Sequence, residues 1–486
     1  MQLLNRQNAN IPAAYPERIL QFGGGNFLRG FADWMVDVLN NKTGAQLGIV
    51  VVKPTERGDY DEWRHQDGLF HVRTKGVRNG ALVSETHLVK SISRIIHPYR
   101  EWDTFLQSAE NPELRFVISN TTETGLRVHP EDRRDDSPPG EFPAKLTLWL
   151  YRRFTHFKGD PGAGCVHIPC ELLVRNGELL RDCILENAAN WQLGADFETW
   201  ISQHNIFCNT LVDRIIPGVP DESLEATWQE LGFRDTMVTE AEPYHLWAIE
   251  APESVRQALP FDKAGLQVVY TDDLEPFRIR KVRILNGAHT CMMPLGYLYG
   301  IETVREAVEH PLLGKYIRQL ITEEILPTLG LPEDASVQFA ADVLDRFRNP
   351  FLHHQLISIA LNSVSKFKAR LVPTLLGYVE RYNTLPERVV LALAALVRFY
   401  KGDWNGVKIP LNDEALVQAF FEKIWAEFQQ ADPQYSALAG KVLRHAEFWG
   451  QDLSLVPGLT ARLAFYLEKL HTHQPMEAVL PNSETA

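Results

Sequence analysis

Cysteine is scarce in this chain: five in 486 residues, at Cys165, Cys170, Cys183, Cys208 and Cys291. None forms a C-x-x-C pair. An odd, sparse set of this kind excludes a disulfide-built scaffold and reads as buried, reduced thiols in a cytoplasmic protein. No secretory leader opens the sequence, which carries the same expectation. Long apolar runs are missing too. The longest, from Val389 to Val397, has nine residues. That falls short of the ~18–20 needed to span a bilayer, so a buried core helix is expected there. Positive charge is not in excess: the net charge is −13, which argues against nucleic acid or an anionic membrane surface as partner. No H-E-x-x-H motif occurs, His353 and His354 are adjacent and so face different ways on a helix, and His289 has no histidine or acid four residues away. No metal site is therefore expected. Internal repeats and low-complexity tracts are absent as well.

What remains is a chain with 45% apolar residues, enough for the cores of two or three domains. Its first half alternates strands and helices. Residues 19–22 read as a short buried strand, Gly23, Gly24 and Gly25 as a tight turn, and Phe27, Phe31, Met35, Val38 and Leu39 recur at helical spacing. Strand, glycine turn, helix is the geometry that aims free backbone N–H groups at a pyrophosphate. Gly23-x-Gly25 matches the first two glycines of the dinucleotide fingerprint, whereas its third position is Leu28. On residues alone an ordinary strand-to-helix turn stays open. Residues 48–53 form a second, wholly apolar strand. Lys53-Pro54-Thr55 stands where an acid usually takes the ribose hydroxyls, and the nearest acid is Glu56. The choice between NAD and NADP is open on this chemistry.

Residues 70–90 read as a hairpin about Arg78-Asn79-Gly80. Residues 114–119 form a strand that empties into the polar cluster Ser119-Asn120-Thr121-Thr122-Glu123, where a ligand would sit in an open α/β sheet. A helix over 143–157, a strand over 165–173 and a helix over 179–191 follow. The apolar run 207–217 carries Asn209, Asp213 and Arg214, which make either a buried hydrogen-bonded network or a site.

From about residue 276 apolar residues recur every three to four positions. Helices are expected over 281–297, 313–328, 333–347, 351–370, 386–400, 411–430, 435–447 and 458–471, with no strand beyond 267–270. An α/β half (1–275) thus meets an all-helical half (276–486), and substrates are usually enclosed in clefts between domains. Just past the junction lies Lys281-x-x-x-x-Asn286-x-x-His289. At about 100° per residue Asn286 and His289 share a helix face, and Lys281 reaches toward them from two turns back. A carbonyl reduced by hydride becomes an alkoxide, which needs a proton and hydrogen-bond donors. Lys281 can supply the proton if burial or the flanking Arg280 and Arg283 lower its pKa. Asn286 can donate to the oxygen, and His289 can orient a substrate hydroxyl. A surface helix with scattered basic residues has the same spacing.

Lys281-x-x-x-x-Asn286-x-x-His289 resembles the signature of the polyol-specific long-chain dehydrogenases, the mannitol dehydrogenase family. So do Gly23-x-Gly25-Asn26-Phe27-x-Arg29, Asn176-Gly177, Asn209-Thr210-x-Val212-Asp213-Arg214 and Arg346-Phe347-x-Asn349-Pro350, in order from about residue 18 to 373. Ser119-Asn120-Thr121-Thr122-Glu123, Ile284-Leu285-Asn286-Gly287-Ala288-His289-Thr290 and Val456-Pro457-Gly458-Leu459 look closest to members acting on hexuronates and aldonates. The resemblance implies a Rossmann-type amino domain, a mostly helical carboxyl domain, an active site between them, NAD as cofactor and no catalytic metal. It implies Lys281 as general acid/base, Asn286 and Asn209 as groups on the oxyanion and substrate, with Asp213 beside them, and His289 as a guide for substrate. Ile19, Phe22, Gly23, Gly24, Gly25, Asn26, Phe27, Leu28, Arg29, Ser119, Asn120 and Thr122 are the implied cofactor-binding positions. Polyol enzymes of the family carry arginine in a D-G-S-x-R-like segment. Here the stretch is Asn362-Ser363-Val364-Ser365-Lys366. Lys366, and after it Arg370, is therefore expected to take a uronate carboxylate. Members acting on epimeric hexuronates or neutral polyols are the alternatives. A non-catalytic nucleotide-binding protein would lack part of the Lys281, Asn286, His289 set, and all three are present.

Overall fold

The computed structural model describes residues 1–121, 124–428 and 433–481. Thr122 and the end of the helix expected over 411–430 lie outside them. The chain divides into one unit of Met1–Gly76 with Leu82–Leu274 and a second of Val77–Ala81 with Glu275–Ala486.

The strands of the first unit run in chain order as β1 (Glu17–Phe22), β2 (Gly48–Val52), the hairpin β3 (Phe70–Arg78) and β4 (Ala81–Val89), then β5 (Ile92–Ile96), β6 (Phe116–Ser119), β7 (Val166–Pro169) and β8 (Ile206–Phe207). Six of them form a parallel sheet in the order β5-β2-β1-β6-β7-β8. Leaving out the hairpin, this is the 3-2-1-4-5-6 order of a doubly wound dinucleotide-binding sheet. Ile19, Ile49, Val51 and Ile118 pack into the core on one face; Leu20, Phe22, Val50, Val52 and Val117 pack on the other. Burial on both faces is why these strands read as unbroken apolar runs. Each such side chain contributes about 1.5–3 kcal/mol on leaving water. The chain then adds β9 (Asn209–Asp213), β10 (Thr239–Ala241), β11 (Leu246–Glu250) and β12 (Val268–Thr271). β10 lies parallel beside β3, and β11 pairs antiparallel with β9 and parallel with β12.

The second unit is mostly helical. The Glu387–Phe399 helix is buried from Arg388 to Phe399, as its apolar run predicts. Glu324 satisfies its first turn by accepting from the backbone N–H groups of Arg388 and Val389, both at 2.9 Å. Burial pushes the Glu324 carboxyl up to about 7. Among the described residues no helix is long and apolar enough to cross a membrane.

Three departures from the sequence expectation have local causes. Residues 403–408 form a small antiparallel hairpin, β13 (Asp403–Trp404) with β14 (Val407–Lys408), where no strand was expected. Asn405 at φ 49° and Gly406 at φ 78° make its turn. The helix expected over 351–370 is two, Leu356–Ile359 and Ser363–Arg370, because Asn362 takes a left-handed φ of 52° between them. The Val372–Tyr382 helix, with Pro373 in its first turn, was not expected at all.

Candidate active site

β1 and β6 are neighbours in the sheet, and the strand order reverses between them. Ligands of open α/β sheets bind beyond the strand ends at this switch point. Gly23, Gly24 and Gly25 leave β1 here, and Ser119 and Asn120 end β6. Gly23 takes φ 109°, and a Cβ on it would press on the Asn120 carbonyl oxygen at 3.2 Å. Around a Cβ on Gly25 nothing among the described residues lies within 4 Å. That open ground at the start of the Asn26–Leu28 helical turn suits close approach of a phosphate to backbone N–H groups. Arg29 braces the turn, donating to the Gly24 carbonyl and to Asn26 Oδ1, each at 2.6 Å. Thr239 also donates to Asn26 Oδ1, at 3.2 Å. Ile19, Phe22 and Leu28 are core residues beneath the turn, and Phe27 stacks on Phe31 with ring centroids 4.9 Å apart. Burial pushes the Asp33 carboxyl up to about 8. It is therefore mostly uncharged at neutral pH, so no full negative charge sits under an expected pyrophosphate site.

The polar cluster after β6 holds the loop after β7. Ser119 Oγ donates to Glu171 Oε2 at 3.1 Å, the Thr121 N–H donates to Glu171 Oε1 at 2.9 Å, and Asn120 Nδ2 donates to the Cys170 carbonyl at 2.8 Å. After β2, Lys53 folds back on its own loop. Its Nζ donates to the Thr55 carbonyl at 2.7 Å, Thr55 Oγ1 at 3.1 Å and the Arg57 carbonyl at 2.7 Å. An ammonium has three donors, and all are used.

Asn176 and Asn209 stitch β7, β9 and the Asn176–Asn190 helix together. Asn176 Nδ2 donates to the Pro169 carbonyl at 3.1 Å and the Glu171 carbonyl at 3.0 Å, while Asn176 Oδ1 accepts from the Thr210 N–H at 2.8 Å. Asn209 Oδ1 accepts from the Gly177 N–H at 3.1 Å and the Glu178 N–H at 3.3 Å. Gly177 is required by this close approach, since any Cβ there would run into the Cys208 carbonyl. Gly177→Ala is expected to lower the melting temperature by about 2–6 °C, for a loss of roughly 1–3 kcal/mol in a unit of this size. Thermal unfolding followed by circular dichroism checks it, and an unchanged transition would contradict the close packing. Asp213 lies at the end of β9, buried, opposite Leu246. Arg214 belongs to a buried network. It donates to the carbonyls of Glu242 at 2.9 Å and Gly30 at 2.6 Å and to Thr74 Oγ1 at 3.2 Å, and it lies 4.1 Å over the Trp34 ring. The network reading of the 209–214 stretch holds for Arg214.

In the second unit, the Glu275–Arg280 helix continues through one π-helical turn, Lys281–Asn286, into the Gly287–Leu298 helix. Bonding from i to i+5 widens that turn and brings residues five apart nearer to one face than an α-helix does. Lys281 and Asn286 stand at this separation, and both are half-buried. Arg283 is drawn elsewhere, donating to Thr374 Oγ1 at 2.9 Å and Thr328 Oγ1 at 2.7 Å. Arg280 lies 4.7 Å over the Phe277 ring.

One helical turn on, His289 is buried, and its Nε2 has no hydrogen-bond partner among the described residues. Its ring lies 4.5 Å from the Phe347 ring and 5.0 Å from the His354 ring. Burial first, then the positive potential of His354, Arg346, Arg370 and Lys366, holds the imidazole well below its usual 6.5. It is therefore neutral at pH 7. Arg370 Nη1 donates to Thr290 Oγ1 at 3.0 Å and lies 3.5 Å from the Asn286 carbonyl. Burial pushes this guanidinium down to about 10. Lys366 Nζ donates to the Ile359 carbonyl at 3.0 Å. Arg346 and His354, with Glu171 in the first unit, are additions to the residues expected from sequence. Arg346 opens the Arg346-Phe347-x-Asn349-Pro350 motif, whereas His354 carries no sequence signal beyond its type. A neutral imidazole with an unused nitrogen, an amide and a lysine on one helix, and cations around them, suit a polar, anionic, hydroxyl-bearing substrate.

A doubly wound dinucleotide-binding unit followed by a helical unit with this Lys–Asn–His helix defines a nicotinamide-dependent dehydrogenase. The family model described as Mannitol dehydrogenase Rossmann domain matches residues 17–263, and Mannitol dehydrogenase C-terminal domain matches residues 273–471. The chain belongs to the mannitol dehydrogenase family, and it is an oxidoreductase acting on CH–OH groups. It is 45% identical to the altronate oxidoreductase of Bacillus subtilis (strain 168) over 97% of this chain and 96% of that one. It is 44% identical to that of Pectobacterium atrosepticum over 97% of both chains. In fold it is similar to a D-sorbitol dehydrogenase in substrate-free form (TM-score 0.78, 20% identity, 99% of this chain and 100% of that one). It is also similar in fold to the Pseudomonas fluorescens mannitol 2-dehydrogenase in its complex with NAD and D-mannitol (TM-score 0.67, 23% identity, 98% of both chains).

Proposed function

We propose that the chain reduces the keto group of D-tagaturonate to the hydroxyl of D-altronate with NADH, reversibly, as a cytoplasmic step of galacturonate breakdown. The observation that carries the proposal is the cluster of Arg346, Lys366 and Arg370 about the buried, neutral His289. A hexuronate brings a carboxylate that matches this positive potential. The near full-length similarity to altronate oxidoreductases supports the same substrate.

The reduced nicotinamide supplies the hydride. The protein's part is to hold substrate and to manage the charge and proton on oxygen. As the keto carbon is reduced its oxygen becomes an alkoxide, and Lys281 Nζ donates a proton to it. Asn286 Nδ2 donates a hydrogen bond to the same oxygen as the charge develops. His289, uncharged and with Nε2 unused, bonds a neighbouring hydroxyl. Lys366 and Arg370 hold the carboxylate. Asn209 and Asp213 complete the proposed substrate set, Asn209 by exchanging its Nδ2 bond to Glu178 Oε1, now 3.1 Å, for one to substrate. Gly23, Gly24, Gly25, Asn26 and Arg29, with Ser119 and Asn120, shape the proposed pyrophosphate loop.

NADH is preferred to NADPH in this assignment because the three donors of Lys53 are spent on its own loop. The exposed Glu56 and Asp59 beside it also oppose a 2′-phosphate. The test is a panel of D-tagaturonate, D-fructuronate and D-fructose with each reduced cofactor. D-tagaturonate with NADH is expected to exceed every other pair in kcat/KM by roughly 10-fold or more, the value of one well-made hydrogen bond. Preference for D-fructuronate or D-fructose would overturn the substrate, and preference for NADPH the cofactor.

A further inference from the structure

His289 is the residue proposed to read a substrate hydroxyl, yet its Nε2 has no partner among the described residues to fix its direction. A ring held by packing alone owes its aim to its neighbours. It meets Phe347 at 4.5 Å with an interplanar angle of 40°, and His354 at 5.0 Å and 72°, edge to face. His354 is itself fixed by backbone bonds. The Val304 N–H donates to the His354 carbonyl at 2.9 Å, and the Leu356 N–H donates to the Glu302 carbonyl at 2.8 Å. Thr303 and Gln355 form an antiparallel bridge between these bonds. The 354–356 segment is thereby clamped to the start of the Val304–Glu309 helix, and the imidazole of His354 is presented from a rigid base.

We propose that His354 is a positioning residue: its ring, anchored through this bridge, sets the tilt of His289 and so selects which substrate hydroxyl Nε2 engages. An edge-to-face aromatic pair is worth about 0.5–1.5 kcal/mol, or roughly 2–10-fold in an equilibrium or a rate. The contact needs a flat ring at position 354 and does not need its nitrogens. The inference rests on the hexuronate substrate proposed above, in which epimeric hydroxyls must be told apart.

The test compares the wild type with His354→Leu, which keeps bulk but not the ring, and His354→Phe, which keeps the ring without nitrogens. Measured are kcat/KM for D-tagaturonate and D-fructuronate, KM for NADH, and the melting temperature. His354→Leu is expected to lower the tagaturonate-to-fructuronate ratio by roughly 3–10-fold with KM for NADH unchanged, and His354→Phe to restore the ratio. A merely structural role would lower the melting temperature of His354→Leu and leave the ratio intact, which overturns the inference. A ratio lost in both variants also overturns it, because the nitrogens rather than the ring would then be at work. A wild type that turns over neither hexuronate refutes the proposed function itself, and is thereby told apart from failure of this inference.

Discussion

Lys281→Ala is expected to lower kcat by roughly 10²–10⁴-fold, the usual worth of one positioned general acid. The alkoxide left by hydride addition has no other ammonium assigned to it, and a neutral amide at Asn286 can stabilise the charge without neutralising it. The fold should not suffer. Lys281 is half-buried on a helical segment, and alanine has the highest helix propensity. NADH affinity should also hold, since the residues proposed to cradle it lie on the first unit. Single-turnover oxidation of NADH with D-tagaturonate, alongside a fluorescence titration of NADH binding, separates these effects. Turnover within about tenfold of wild type would remove Lys281 from the role of proton donor.

Replacing Arg370 by Leu is expected to raise KM for D-tagaturonate by about 10–100-fold, corresponding to loss of one partly buried, charge-assisted hydrogen bond worth roughly 1.5–3 kcal/mol. The same guanidinium donates to Thr290 and lies against the Asn286 carbonyl, so kcat should fall as well, by less. Lys366→Met is expected to act in the same direction but more weakly, because its ammonium is less buried and bonds the Ile359 carbonyl. D-fructose serves as the control, having no carboxylate to lose. If neither variant changes KM for the uronate, the carboxylate lies elsewhere, and Arg346 becomes the group to replace.

Much of this was legible in the sequence for a plain reason: strands buried on both faces read as apolar blocks, and glycine turns read as glycine. The glycine turn after one strand and the polar cluster after another were visible in Gly23 to Gly25 and in Ser119-Asn120, whereas the strand order that sets them side by side was not. Local backbone geometry was harder. The 403–408 hairpin has the Asn405-Gly406 signature in plain view, but its two-residue strands are too short to show alternation. Asn362 gave no warning that it would adopt a left-handed conformation and split a helix. For the polar 209–214 stretch, spacing could not separate a network from a site. Arg214 proved to be tied to Gly30, Thr74 and Glu242, partners distant in the chain. His354 was invisible for the same reason, since its partner His289 lies 65 positions earlier and nothing local couples them. At α-helical pitch the sequence already places Asn286 and His289 on one face, although the segment from Lys281 to Asn286 is wound more loosely.

That looser winding makes the helix tolerant of a change in length at this one place. A π turn is an α-helix holding one residue more than its frame requires. Deleting a single residue between Lys281 and Asn286 would let the segment relax to α geometry. The flanking helical segments would keep their register, because the turn absorbs the extra residue instead of passing it on. Lysine and amide would then stand four apart, about 40° round an α-helix, and still share a face with the imidazole. A survey of substitutions alone would never meet this change. A homologue one residue shorter here would lose the Lys-x-x-x-x-Asn spacing and still bring lysine, amide and imidazole together.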